Sequence, residues 1–287
     1  MFKYCTFFIL IGLMCCMTPE VKSQGLTFGI RAGLNYSKFL GNQLPEENFS
    51  LNNGFHFGIN VGYKISDVAY IRSEILYSQQ GSSYDYNGDG FYIFNVPTNN
   101  RFVIQDSTNL TLDISNAYVS FPLTVHFSVA EKWEFHAGGY VNFLVSPVGA
   151  GTWRFGSRDA INYQFEQGLN YNYNGDEPGE QSFFASSILL IVDGQNASVP
   201  SLVGAYFLAT EDRGDLINKV DYGLTGGVSY FLNRGLYLGA KAWYGFRDVT
   251  NNEVDYSLRS LNQDGSFIYS SDFDRNFSVD FSLGFKF

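Results

Sequence analysis

The chain has 287 residues, a net charge of −10 and an aromatic content of 18%. An acidic balance excludes the phosphate-neutralising surface of a nucleic-acid binder. All three cysteines, Cys5, Cys15 and Cys16, fall in an N-terminal segment that reads as cleaved, so the remainder has no disulfide, thiol chemistry or zinc–thiolate site.

Residues 1–23 have the pattern of a secretory signal. Lys3 supplies the positive start, Phe7 to Met17 is an apolar run too short to span a bilayer as a helix, and Val21-Lys-Ser23 precedes a cleavage point at Gln24. Met14 before Cys15 does not suit a lipid-anchored protein. Cleavage would leave 16 basic and 27 acidic residues, a charge of −11, on a domain spanning 24–287. No later stretch approaches the ~20 apolar residues of a membrane helix. The 28 Phe, 20 Tyr and 30 Gly instead suit a β-barrel whose lipid face is diluted by a polar lumen.

The first strand is expected over Gly25 to Phe39, with Leu26, Phe28, Ile30 and Leu34 on one face and Thr27, Arg31 and Asn35 on the other. After a polar loop, 41–53, a second strand over Gly54 to Ile65 turns Phe55, Phe57 and Ile59 outward and His56, Asn60 and Lys64 inward. A tight turn at Ser66-Asp67 leads to a third strand, about Ala69 to Gln79, with Arg72 and Glu74 inside. The polar stretch 81–109 reads as a loop with a hairpin turn at Asn87-Gly88. The fourth strand, Leu110 to Val129, shifts its apolar residues from even to odd positions. A bulge near Ser115 to Ala117 would restore the face, and Pro122 predicts a further irregularity. The fifth strand covers Trp133 to Val145, the sixth Val220 to Phe231, the seventh Leu236 to Phe246. The last, Phe277 to Phe287, alternates without a break: Phe277, Val279, Phe281, Leu283, Phe285 and Phe287 against Ser278, Asp280, Ser282, Gly284 and Lys286.

Short connections, 66–68, 130–132 and 232–235, alternate with long ones, 40–53, 81–109, 146–219 and 248–275. That asymmetry predicts an all-β fold: an antiparallel up-and-down transmembrane β-barrel of eight strands, with short periplasmic turns, long extracellular loops and both termini periplasmic. A soluble eight-stranded barrel needs apolar residues inside. Here the second face carries Arg31, Lys64, Arg72, Glu74, Glu134, Asp221, Lys241, Asp280 and Lys286, which suit a polar lumen and not a dry core. Phe183 to Val192 and Val199 to Ala209 leave a ten-strand alternative open.

Gly29-Ile-Arg-Ala-Gly-Leu-Asn-Tyr-Ser37 resembles the opening strand of the PorT-like outer-membrane β-barrel family of Bacteroidota. Tyr118-Val-Ser-Phe-Pro-Leu123 is similar to that family's mid-barrel stretch, with Ser120 where an acidic residue is common and Phe121 where Ile is common. Asp221-Tyr-Gly-Leu-Thr-Gly-Gly227 and the last strand fit as well. The resemblance implies a fold and an outer-membrane location, and through PorT itself a link to secretion. It implies no activity.

The histidines, His56, His126 and His136, all face inward. A turn near Glu131 sets His126 opposite His136, ~5 Å apart at Cβ, with Glu134 close by. Two imidazoles can hold a metal or move a proton; the plainer reading is a hydrogen-bonded lumen pair. No Ser-His-Asp set can be assembled from the pattern. Asp85-Tyr-Asn-Gly-Asp-Gly90 matches half of a calcium loop, but Val96 stands where the closing Glu belongs. The expectation is therefore no catalytic, cofactor or metal site, and a lumen network of Arg31, Lys64, Arg72, Glu74, His126, Glu134, His136, Asp221, Lys241 and Asp280. The expected partners are outer-membrane lipid and lipopolysaccharide, barrel-assembly machinery through the last strand, and an extracellular protein or glycan at the loops. The expected role is structural, adhesive or accessory, with a narrow pore or ligand carrier as the alternative and a barrel enzyme third.

Overall fold

The computed structural model describes residues 25–95, 101–130, 132–156, 164–179, 186–192 and 195–287. The signal segment expected over 1–23 lies outside these residues. The strands are β1 (Leu26–Leu40), β2 (Glu47–Ser50), β3 (Asn52–Lys64), β4 (Ala69–Asn95), β5 (Arg101–Val129), β6 (Trp133–Phe155), β7 (Phe165–Asn172), β8 (Ser187–Val192), β9 (Gln195–Pro200), β10 (Leu202–Val203), β11 (Val220–Phe231), β12 (Leu236–Gly245), β13 (Tyr256–Leu261), β14 (Phe267–Tyr269) and β15 (Arg275–Lys286).

Eight of them close a ring. β1 pairs β3, then come β4, β5, β6, β11, β12 and β15, each antiparallel to the last. β15 returns to β1 in a ladder from Gly29↔Lys286 to Leu40↔Arg275. Period-2 alternation decides which side meets lipid: Ile59 is 56% exposed and Asn60 4%. Closure removes every strand edge, which hydrocarbon would otherwise leave unsatisfied. Glycine permits the close approach at the seam: a Cβ at Gly33 would stand 1.9 Å from the Phe281 carbonyl oxygen and 2.8 Å from the His56 ring.

The terminal end of the barrel has tight turns. The Ile65 and Ser66 amides both donate to the Ala69 carbonyl, and Asn233 Oδ1 accepts from the Gly235 and Leu236 amides.

At the other end the structure departs from the sequence reading. β4 and β5 run for 27 and 29 residues, where ~9–11 suffice to cross a bilayer. Residues 81–95 and 101–109, read as loop, are strand. Asn87-Gly88 is no turn: Asn87 faces Asn109 and Gly88 faces Thr108 within the ladder. A two-residue turn signal is local, and a long ladder with an aromatic core overrides it. The extended β4, β5 and β6, together with β2, β7 and β10, form a headpiece. Its core stacks Tyr92 against Phe94, Trp153, Phe155 and Phe165 at centroid distances of 4.7–5.7 Å.

The bulge also needs correction. Even-numbered residues of β5 face inward throughout, from Leu110, Leu112 and Ile114 to Ser120, Thr124 and His126. No residue is inserted in β5; the register shifts at Ala117/Tyr118 because Val145 is extra on β6, Ala117 pairing Ser146 and Tyr118 pairing Leu144. The apolar residues change face because the surroundings change. Pro122 behaves as expected: the β4–β5 ladder lapses opposite it, between Ser73↔Leu123 and Leu76↔Ser120. β8 and β9 pair only with each other, which removes the ten-strand alternative.

Candidate functional site

The lumen is packed with paired side chains. At mid-barrel, Glu74 takes Arg31 Nε at 3.1 Å and Lys241 Nζ at 3.3 Å, while Arg31 Nη2 donates to Asp280 at 3.2 Å. Asp280 also lies 3.9 Å from His56 Nδ1, which bonds Asn35 at 2.6 Å. Nearer the terminal end, Glu134 lies 3.5 Å from Arg72 and 2.6 Å from His126 Nδ1. Lys286 lies 4.1 Å above the Tyr70 ring. Nearer the headpiece, no cation meets Asp221 among the described residues. The Tyr140 hydroxyl and the Asn142 and Asn276 amides solvate its Oδ2 at 3.2–3.4 Å. Of the ten residues expected in this network, nine are buried. Lys64 is the exception: it sits at the rim with a half-exposed side chain and binds Asp67 at 2.8 Å, because the inward phase there opens onto water.

His126 and His136 do face each other across β5 and β6, with rings stacked 4.6 Å apart and 19° from parallel. With Glu134 they place three metal-capable atoms within 4.8 Å of one another. Near-parallel stacked rings direct their nitrogen lone pairs into separate planes, and both His126 nitrogens are already bonded, so this arrangement does not fit a metal. It does contain a line the sequence reading missed: Thr124 Oγ1 to His126 Nε2 at 2.8 Å, and His126 Nδ1 to Glu134 Oε1 at 2.6 Å. A hydroxyl, an imidazole and a carboxylate in a row are the parts of a nucleophilic relay. Alternation on adjacent strands is the signal that could have found it, with Thr124 and His126 two apart on one face and Glu134 diagonal to His126, two residues from the facing His136. Thr124 is 1% exposed, so no acyl group can reach its hydroxyl.

The Asp85–Gly90 stretch lies inside β4 with Asp85, Asn87 and Asp89 exposed on the outer face. A strand provides no loop to wrap a calcium ion. A related stretch, Asn172-Tyr-Asn-Gly-Asp176, does form a turn, with the Gly175 and Asp176 amides donating to the Asn172 carbonyl.

A cavity of about 150 Å³ lies above the lumen, inside the headpiece end. Phe39, Phe49, Leu112, Ile114, Tyr173 and Tyr256 supply apolar and aromatic wall. Glu47, Asp255, Asp272 and Asp274 line it too, and no Lys, Arg or His does among the described residues. The partners of these carboxylates are neutral donors: Tyr84 for Glu47, Ser270 for Asp272, Thr250 for Asp274. Burial, followed by repulsion from Asp272, Asp274, Glu47 and Asp248, pushes the Asp255 carboxyl up to about 8. Burial and Asp272, then Asp248 and Glu47, raise Asp274 to about 7 against an opposing hydrogen bond from Thr250. These acids come from two of the long connections, 40–53 and 248–275, and alternation cannot show that two separate segments meet.

The sequence matches the family described as outer membrane protein beta-barrel domain over residues 21–251. No curated protein matches it. Among solved structures, Neisserial surface protein A aligns at 12% identity over 91% of this chain and 97% of its own, with a TM-score of 0.36. Ail, the attachment invasion locus protein of Yersinia pestis, aligns at 9% over 92% and 99%, TM-score 0.34. OprG from Pseudomonas aeruginosa aligns at 11% over 92% and 96%, TM-score 0.32. At these scores the likenesses carry no argument about activity. The closed ring of eight strands and the family match over most of the length agree: the chain belongs to the outer membrane protein beta-barrel domain family, and its place is the outer membrane.

Proposed function

We propose that the protein is a sealed, non-enzymatic barrel that holds a recognition headpiece at the cell surface, in a structural, adhesion or accessory role. One observation carries this reading. The bore is crossed by the Arg31–Glu74–Lys241 and Arg31–Asp280 pairs, and the apolar side chains of Leu110, Leu112 and Ile114 are buried above them. Eight strands leave an interior just wide enough for side chains, so crossing pairs displace a water column. The long β4–β5 hairpin supports the second half of the reading, because strand beyond the bilayer builds a rigid platform for contacts.

Within this reading, residues 1–23 direct export, both termini are periplasmic, and the β15 strand is read by barrel-assembly machinery. Outer-membrane lipid and lipopolysaccharide surround the wall, and an extracellular protein or glycan meets the headpiece. The PorT-like resemblance adds a secretion-associated accessory role. Purified protein in planar bilayers should give no stable ion conductance. Steady single-channel steps from the unmodified protein would replace this reading with a narrow pore.

A further inference from the structure

The headpiece cavity gathers several carboxylates without a cation, whereas in the lumen Asp221 alone stands without one among the described residues. In the lumen, Glu74, Glu134 and Asp280 are each met by a guanidinium or ammonium group. In the cavity, four carboxylates line one space and none meets a cation within ion-pair distance among the described residues. Asp274 is 2% exposed and its Oδ1 has no hydrogen-bond partner. No hydrogen bond or ion pair reaches the Asp255 carboxylate among the described residues. Asp274 is buried and Glu47, Asp255 and Asp272 are half-buried; acids drawn out of water without a counter-charge are costly, so admitting a cation stabilises the protein.

The wall narrows the kind of cation. The carboxylates come from separated segments, β2, the start of β13 and the approach to β15, and they do not converge as a metal cage. Between them stand Tyr84, Tyr173, Tyr256, Phe39 and Phe49. Aromatic faces attract an organic ammonium, and aliphatic wall suits the carbon attached to it. At about 150 Å³ the space falls below the roughly 300–1,000 Å³ of pockets for drug-sized ligands. We propose that this cavity binds the ammonium end of a small alkyl group, either a free amine or the lysine side chain of a protein partner. This deepens the recognition reading and rests on it.

The pH dependence has a definite sign. Facing Asp255 are Glu47 from β2, Tyr84 from β4, Tyr173 after β7, Tyr256 from β13, and Asp248, Asp272 and Asp274 from the segments flanking β13 and β14. The Asp255 and Asp274 carboxyls titrate at about 8 and about 7. An ammonium ion favours their charged forms, so binding releases protons at neutral pH and tightens as pH rises through that range.

The test is calorimetric titration of the full-length barrel, folded in detergent, with butylammonium chloride. The expected result is one site, with butanol weaker by about tenfold or more because it lacks the charge. Asp274→Asn and Asp255→Asn should each weaken butylammonium by about tenfold while leaving heat-modifiable gel mobility intact. Affinity should rise from pH 6 to pH 9. Nα-acetyl-lysine methylamide separates the two sources: binding equal to butylammonium identifies a partner's lysine, and exclusion identifies a free amine. Equal affinity for butanol would overturn the proposal, as would indifference to both substitutions, saturable binding of calcium chloride in place of the amine, or no binding at all. None of these results touches the sealed-barrel reading, which the conductance measurement tests alone.

Discussion

The wall and the headpiece are built from the same strands with opposite polarity. On β5 the even face carries Leu110, Leu112 and Ile114 in the headpiece, then Ser120, Thr124 and His126 in the wall, and all six are buried. The odd face carries Thr111 and Asp113, then Phe121, Leu123 and Val125, and all five are exposed. The backbone keeps one phase across the change. Alternation therefore reports the strand, and the sign of the alternation reports the solvent: lipid outside the wall, water outside the headpiece.

The largest break in this comparison is to open the ring. Phe285 pairs with Ile30 on one side and Leu236 on the other, and the Phe287 amide donates to the Phe28 carbonyl at 2.8 Å. Removing Phe285 to Phe287 takes ladder from both seams of β15, and folded protein in the outer membrane should fall sharply. Normal levels with normal heat-modifiable mobility would show that closure does not depend on this strand end.

Next is the treatment of charge. Glu74 holds two cations in the wall, so Glu74→Ala should cost ~3–5 kcal/mol by stranding Lys241 and leaving Arg31 with Asp280 alone. In the headpiece the opposite holds. Asp255 titrates at about 8, above the ~3.9 of an unfolded aspartate. Between those values the unfolded chain loses its proton before the folded one, so folding of this region weakens as pH rises. Protease should cut the headpiece faster at pH 9 than at pH 6, and Asp255→Asn should flatten that slope. Urea titration that finds both substitutions equally destabilising would erase the distinction.

Smaller again is the cost of a charge outside. Phe121→Arg places it against lipid and should cost ~2–4 kcal/mol near the midplane. Thr111→Arg lies on the same face of the same strand but in water, and should stay within ~0.5 kcal/mol. Equal costs in lipid vesicles would mean that the apolar band extends over the headpiece.

The wall was legible in the sequence because lipid enforces strict alternation, and nine of the ten residues read from parity as facing the lumen are buried. Lys64 escaped because parity does not say where the bore ends. The headpiece was not legible. Its inward face is apolar, so Leu110, Leu112 and Ile114 looked like a slipped wall, and Asn87-Gly88 looked like a turn. The cavity acids, Glu47, Asp255, Asp272 and Asp274, meet through tertiary contacts between segments far apart in the chain, which no local pattern encodes.

The proposed division, a structural wall and a recognition headpiece, is most exposed to test at the Thr124–His126–Glu134 line. Its hydrogen bonds, 2.8 and 2.6 Å, are short enough for proton transfer from a hydroxyl to a base. Neither the hydroxyl nor the imidazole is open to solvent. Thr124 and His126 are 1% and 0% exposed, and the His136 ring covers one face of His126. A buried network of this kind holds two strands in register. Thr124→Ala should therefore cost ~1 kcal/mol, the worth of one hydrogen bond lost from His126, and should change nothing else. A fluorophosphonate probe should leave the native barrel unlabelled. Labelling of the native protein that disappears in Thr124→Ala would put chemistry inside the wall.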